Sequence, residues 1–336
     1  MIEVENLTKS YGKHMALKGV SFQLEKGKIY GFLGPNGAGK STTMNIMTGY
    51  IAPTDGTVRI DGHDIVKDAQ EAKKCIGYLP EIPPIYPDMT VSECIQFAAE
   101  IKKVPKSERK EQIQDIMELT GIADIGSRLI KNLSKGYKQR VGLAQAVLGY
   151  PDIIILDEPT VGLDPKQIIE IRELIRKLGE KHTVILSSHI LSEVQAVCDE
   201  ILILSKGEIV AEGTTQELIA MMHKDVTLEM EIEADREQLQ NLLESFETLE
   251  SYEWVDNADE KVQKVKIHTP AEVDIRKELF YRLAEEKMPI MSLQRMEDSL
   301  EDVFLELTDT LTEDNGKNAE ATKAQEEGVN KDDSSL

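Results

Sequence analysis

The chain has 336 residues, 40% of them apolar, and a formal net charge of −22 at pH 7. The charge is uneven: after residue 220 there are 31 acidic against 13 basic side chains, hence −18, which leaves −4 for the first 220. So acidic a surface argues against nucleic acid as a partner, since phosphate binding needs dense lysine and arginine. No N-terminal signal peptide is legible, and no apolar run approaches the ~18 residues needed to span a bilayer. The three cysteines, Cys75, Cys94 and Cys198, lie too far apart for a metal site or a disulfide framework, which fits a reducing compartment.

From the N-terminus, alternating apolar and polar positions with turns at Gly12, Gly19 and Gly27 predict strands over 2–7 and 16–24. Residues 28–33 read as a buried strand, and 41–48 as the first turns of a helix. Between them stands Gly34-Pro35-Asn36-Gly37-Ala38-Gly39-Lys40-Ser41-Thr42, which fits G-x-x-x-x-G-K-[ST]. Glycines let a backbone wrap closely round a phosphate because no Cβ blocks the approach. The loop amides and the new helix terminus then offer donors and a positive dipole end. Lys40 can reach the β- and γ-phosphates of a nucleotide, and the Ser41 hydroxyl can ligate Mg²⁺.

A strand is expected at 57–60. Residues 90–104 and 107–120 show helical spacing, broken at Pro105, and form part of a helical insert covering about 88–150. Within it, Leu133-Ser134-Lys135-Gly136-Tyr137 opens a helix that runs to 148, with Ser134 as N-cap and Gly149 and Pro151 as stop signals. Residues 152–157 form a β-branched run that delivers Asp157 and Glu158 at its end. One acid there can hold a metal and the next can orient or deprotonate a water. A helix at 167–180 and a strand at 183–188 follow. Strands alternating with helices predict an α/β core with a largely parallel sheet. A hairpin is expected over 201–204 and 209–212 around Lys206-Gly207.

After residue 220 the pattern restarts. Strands at 226–232, 252–255, 262–268 and 290–296 and helices at 236–247, 271–286 and 299–308 are expected. The order βαββαβ predicts a small ferredoxin-like α+β domain with one more helix. Residues 311–336 hold almost no apolar side chain and are expected to be a disordered acidic tail. The expected organisation is a domain over 1–220, an accessory domain over 221–310 and the tail.

In this order the motifs resemble those of the ATPase subunit of an ABC transporter, over residues 1 to about 215. The resemblance implies a P-loop NTPase fold, ATP as substrate and Mg²⁺ as cofactor. It aligns Ser134, Lys135, Gly136 and Tyr137 with the family signature Leu-Ser-Gly-Gly-Gln, here with Lys135 and Tyr137 in place of glycine and glutamine. Asp157 aligns with the metal-binding acid, Glu158 with the catalytic glutamate, Asp164 with the D-loop, and His189 with the switch histidine. Tyr11 aligns with the aromatic residue that stacks on adenine. Glu81 stands where the family carries the Q-loop glutamine.

The resemblance further implies a head-to-tail dimer of two ATPase subunits, with each ATP between Lys40 of one and Ser134 of the other. It also implies a separate transmembrane permease subunit, and hence a peripheral place on the cytoplasmic face of the membrane. The variant signature and the acidic extension resemble the ATPases of bacterial exporters. The alternative is a soluble relative without a membrane partner, of the kind used in iron–sulfur cluster assembly.

Overall fold

The structure, a computed structural model, describes residues 1–222, 225–246, 248–255, 262–270, 273–296, 300, 301, 303–305 and 307. Two compact units are present, one built on Met1–Thr215 and one on Gln216–Val303.

The first unit opens with β1 (Ile2–Tyr11), β2 (His14–Leu24), β3 (Ile29–Leu33), α1 (Lys40–Met47), β4 (Asp55–Ile60), β5 (His63–Asp64), α2 (Ala69–Lys74) and β6 (Ile76–Leu79). The helical insert supplies α3 (Val91–Ile101), α4 (Lys106–Leu119) and α5 (Lys135–Val147). Then come β7 (Ile153–Asp157), α6 (Pro165–Gly179), β8 (Thr183–Ser188), α7 (Leu191–Val197), β9 (Glu200–Ser205) and β10 (Glu208–Gly213).

These strands form two sheets. The sheet β2-β1-β4-β5 is antiparallel. The other has the order β10-β9-β3-β8-β7-β6, parallel except for β10 at its edge. Every residue of β3, β7 and β8 is buried. Their continuous apolar runs are what a parallel strand covered on both faces requires. Phe22 of the first sheet and Phe32 of the second meet edge to face at 5.2 Å inside one shared core. Because β3, β7 and β8 run parallel, the loops after all three emerge at the same sheet edge, where ligands bind in open α/β folds.

Capping sets the helix starts. Thr90 and Glu93 form a capping box on α3, Ser134 caps α5, and Asp164 caps α6 by accepting the Gln167 N–H at 2.9 Å. At Gly31 an added Cβ would lie 2.2 Å from Val194 Cγ1, so α7 packs directly on the backbone of β3.

After α8 (Thr215–Met222), the second unit holds β11 (Asp225–Glu233), α9 (Arg236–Glu244), β12 (Ser251–Val255), β13 (Val262–Pro270), α10 (Arg276–Glu285) and β14 (Ile290–Met296). The sheet order is β12-β13-β11-β14 with every pair antiparallel, the ferredoxin-like arrangement expected. Leu228, Met230 and Ile232 pack with Leu239, Leu243, Leu279 and Leu283 in a core of their own.

Several helix ends differ from the spacing, and the helix expected over 90–104 stops at Ile101. The helix expected over 271–286 starts at Arg276, where Asp274 Oδ1 accepts the Arg276 N–H at 3.1 Å. The one expected over 236–247 stops at Glu244, and the Ser245 hydroxyl donates to the Leu242 carbonyl at 2.6 Å. The helix expected at 299–308 lies partly, and the tail 311–336 wholly, outside the described residues. Among the described residues no helix is long and apolar enough to cross a membrane.

Candidate active site

The loop between β3 and α1 is shaped by its glycines. Gly37 and Gly39 have φ of 82° and 109°, backbone angles that side chains resist. Gly34 is constrained by space: a Cβ there would lie 2.2 Å from the Leu204 carbonyl oxygen. The loop can therefore hug a ligand and aim its amides at it.

Lys40 is only 5% exposed. Its Nζ donates to the carbonyls of Gly34 at 2.7 Å and Pro35 at 3.2 Å, and lies 3.7 Å from Glu158 Oε1. Burial pulls the Lys40 pKa below the ordinary lysine value, against the pull of the Glu158 and Asp157 carboxylates. A buried ammonium held this way fits a polyanionic ligand, whose charge would restore its proton affinity.

A cavity of about 440 Å³ opens over this loop. Asn36, Gly37, Gly39, Lys40, Ser41 and Thr42 line it, together with Glu81, Glu158, Val161 and His189. Tyr11, His14 and Ala16, from the β1–β2 hairpin, complete the lining. Tyr11 is 51% exposed and carries Lys9 Nζ at 5.3 Å from its ring centroid. The ring is exposed enough to stack on a planar group.

The carboxylates at the end of β7 are held by hydroxyls. Asp157 Oδ1 accepts from Ser41 Oγ at 3.2 Å and from Ser187 Oγ at 2.6 Å. Ser187 Oγ also accepts the Glu158 N–H at 2.9 Å. Ser41 and Asp157 together are the hard oxygen donors that Mg²⁺ takes, so these residues fit that ion. Glu158 sits at φ 48°, a left-handed backbone rare for a residue with a side chain. His189 Nδ1 hydrogen-bonds Glu158 Oε2 at 2.9 Å. The glutamate thus faces Lys40 with one oxygen and His189 with the other.

The structure brings Lys40, Ser41, Asp157, Glu158 and His189 together and does not bring Ser134 to them. Ser134, Lys135, Gly136 and Tyr137 do not line the cavity of their own chain. Ser134 Oγ accepts the Tyr137 N–H at 3.4 Å as an N-cap, and Tyr137 is 39% exposed. Lys135 lies over Gly162, where an added Cβ would come within 2.3 Å of its Nζ, and the Gln167 amide covers Gly136. Gly34, Pro35 and Ala38 shape the loop from behind without lining the cavity. Asp164 is occupied as the cap of α6.

Sequence reasoning missed His14, Ala16, Val161 and Ser187. The pairing of Tyr11 with His14 across the hairpin is the signal that places His14 beside Tyr11. For Ser187, the signal was its place in the strand paired with β7, opposite Asp157.

The model of the ABC transporter family matches residues 17–161. The linearmycin resistance ATP-binding protein LnrL of Bacillus subtilis is 32% identical over 309 residues, covering 92% of this chain and 98% of its own length. The bacitracin transport ATP-binding protein BcrA of Bacillus licheniformis is 34% identical over 309 residues, 91% of this chain and 97% of its own. Among solved structures, a dimeric ATP-binding cassette, MJ0796, in a post-hydrolysis state with ADP and Pi bound, superposes with a TM-score of 0.58 at 29% identity. That match covers 64% of this chain and 98% of the cassette. With a Lys40 loop, paired acids and a histidine meeting in one cavity, and full-length relatives of this kind, the chain belongs to the ABC transporter family as an ATP-binding, ATP-hydrolysing subunit.

Proposed function

We propose that this subunit drives export of a compound through a separate membrane subunit, and that two copies close head to tail on ATP. The observation that carries the reading is the division of the motifs. One chain builds a cavity around Lys40, yet its own Ser134 helix end does not line that cavity. A second copy, turned end for end, supplies the missing donors. One loop neutralises a tetra-anionic triphosphate poorly, and a facing capped helix end adds N–H groups and dipole. The dimeric cassettes among similar structures support this arrangement.

In this reading Tyr11 stacks on the base. The loop Gly34-Pro35-Asn36-Gly37-Ala38-Gly39 cradles the phosphates with Thr42. On binding, Lys40 exchanges the Gly34 and Pro35 carbonyls for phosphate oxygens, which frees Glu158 from its ion pair. Glu158 then takes the proton of the attacking water, and His189 holds the carboxylate in place through the 2.9 Å hydrogen bond. Ser41 and Asp157 would hold Mg²⁺, which neutralises charge on the β- and γ-phosphate oxygens. Ser134, Lys135, Gly136 and Tyr137 face the γ-phosphate of the other copy, and Asp164 shapes the loop beside them. Glu81, in the stiff segment 80–87, reports the nucleotide to the membrane subunit. Loss of the γ-phosphate removes the contacts that hold the dimer shut, which gives a two-state motion.

Relatives named for bacitracin transport and linearmycin resistance, aligned through the second unit as well, support export of antibiotic-type compounds. The domains expected over 1–220 and 221–310, the latter an accessory module, differ in boundary from the compact units, which divide between Thr215 and Gln216, and the protein works at the cytoplasmic face of the membrane. The test is Glu158→Gln with ATP on size exclusion. The expected result is a stable dimer that binds ATP without turnover. A variant that stays monomeric with ATP bound would overturn the sandwich.

A further inference from the structure

Among the described residues of this unit, Glu193 is the buried acid that the chemistry above leaves unused. It lies on α7 among Leu191, Val194 and Val197, all buried, and is itself only 4% exposed. Among the described residues no ion pair reaches it. Its Oε2 accepts from the Thr160 hydroxyl and, at 3.0 Å, from the Ser188 hydroxyl. Its Oε1 is buried with no hydrogen-bond partner. Burying a carboxylate with two neutral donors and one orphan oxygen is costly, and an apolar residue would pack there more cheaply. The two donors explain the place. Thr160 lies two residues after Glu158, and Ser188 lies one before His189. Ser188 Oγ also accepts the Ile190 N–H at 3.0 Å, which fastens the turn around His189.

We infer that Glu193 is a positioning residue that ties the loop carrying Glu158 to the loop carrying His189, and so sets the hydrogen bond between them. One oxygen shared by Thr160 and Ser188 fixes the spacing of the two loops from behind. The inference rests on the proposed roles of Glu158 and His189. Glu193 touches no substrate and acts only through that pair. Small displacements of such groups are amplified in rate, since a misplacement of about 1 Å can cost on the order of 100-fold.

The test is a double-mutant cycle on the full chain, read as phosphate release over a range of ATP concentrations. Glu193→Ala is expected to lower kcat roughly 10-fold or more with KM for ATP within about 3-fold, because binding groups stay in place. Glu193→Gln keeps an accepting oxygen for both hydroxyls and is expected to restore most of kcat. In a His189→Ala background, the same Glu193→Ala change is expected to cost less than about 2-fold further, since residues acting as a unit are not additive. If Glu193→Ala fails to fold, Thr160→Val removes one donor at equal size and enters the same cycle.

An equal loss in both backgrounds, or a rise in KM with a fall in kcat and melting temperature, would mean a merely structural role and would overturn the inference. A parent-like kcat for Glu193→Ala would do the same. Should His189→Ala alone turn over at the parent rate, the proposed roles of the pair fall as well, so the two failures read differently.

Discussion

Ser41 Oγ donates a hydrogen bond to Asp157 Oδ1 at 3.2 Å, although 116 residues separate the two in the chain. The contact joins the first turn of α1 to the end of β7 and sets two hard oxygens side by side. Chelation with EDTA is expected to stop ATP turnover and added Mg²⁺ to restore it. Asp157→Asn weakens the pair's hold on a divalent ion and is expected to cost roughly 100-fold in kcat. Phosphate release at graded Mg²⁺ checks both, and the variant should need far more Mg²⁺ for half-maximal rate.

Lys40 predicts a pH effect. Burial lowers its pKa, so the nucleotide-free fold gives up this proton at a lower pH than an unfolded lysine does. A bound triphosphate favours the ammonium and reverses the shift. ATP binding at alkaline pH should therefore take up a proton, and affinity should fall as pH climbs through the lowered value. By the same sign, the nucleotide-free parent gains stability relative to Lys40→Met as pH rises toward the ordinary lysine range. Calorimetry in buffers of different ionisation enthalpy reads the proton. Lys40→Ala is expected to lose ATPase activity by roughly 100-fold or more.

Gly31 leaves no room for a methyl group. A Cβ there would lie 2.2 Å from Val194 Cγ1 and 2.8 Å from Cys198 Sγ. Gly31→Ala must push α7 off β3, and overpacking of this kind costs about 1–3 kcal/mol. Since α7 directly follows His189, turnover should fall along with the thermal midpoint. Differential scanning calorimetry and phosphate release on the same sample check this.

Leu279 is fully buried in the second core, which shares no member with the core around Phe32. Leu279→Ala is expected to destabilise the second unit by about 2–5 kcal/mol. Hydrogen exchange should show faster amide exchange in β11, β13 and α10 while ATPase activity stays near that of the parent.

The elements most legible in sequence were those whose burial leaves a simple pattern. The strand expected at 183–188 is Thr183–Ser188, and the one expected at 290–296 is Ile290–Met296. Motif spacing picks out the loop at 34–42, and the apolar run that ends in them, coming after that loop, picks out the acids at 157 and 158. By contrast, Ile76–Leu79 is not legible as a strand, because Gly77 interrupts its short apolar run. The helix Leu191–Val197 spans barely two turns and gives no clear stripe. Glu193 was illegible for a different reason. A glutamate in a short polar-looking helix reads as solvent-facing, and only the convergence of Thr160 and Ser188 in space shows that it is buried.

The left-handed φ of 48° at Glu158 carries a consequence for how this enzyme can be improved. Holding a residue with a side chain at that angle costs on the order of 1–3 kcal/mol, which a glycine would largely recover. With Glu158 in its proposed role, a selection for heat resistance alone would thus drift toward Glu158→Gly and arrive at a sturdier protein that no longer turns over. Robustness and turnover compete at this one backbone angle.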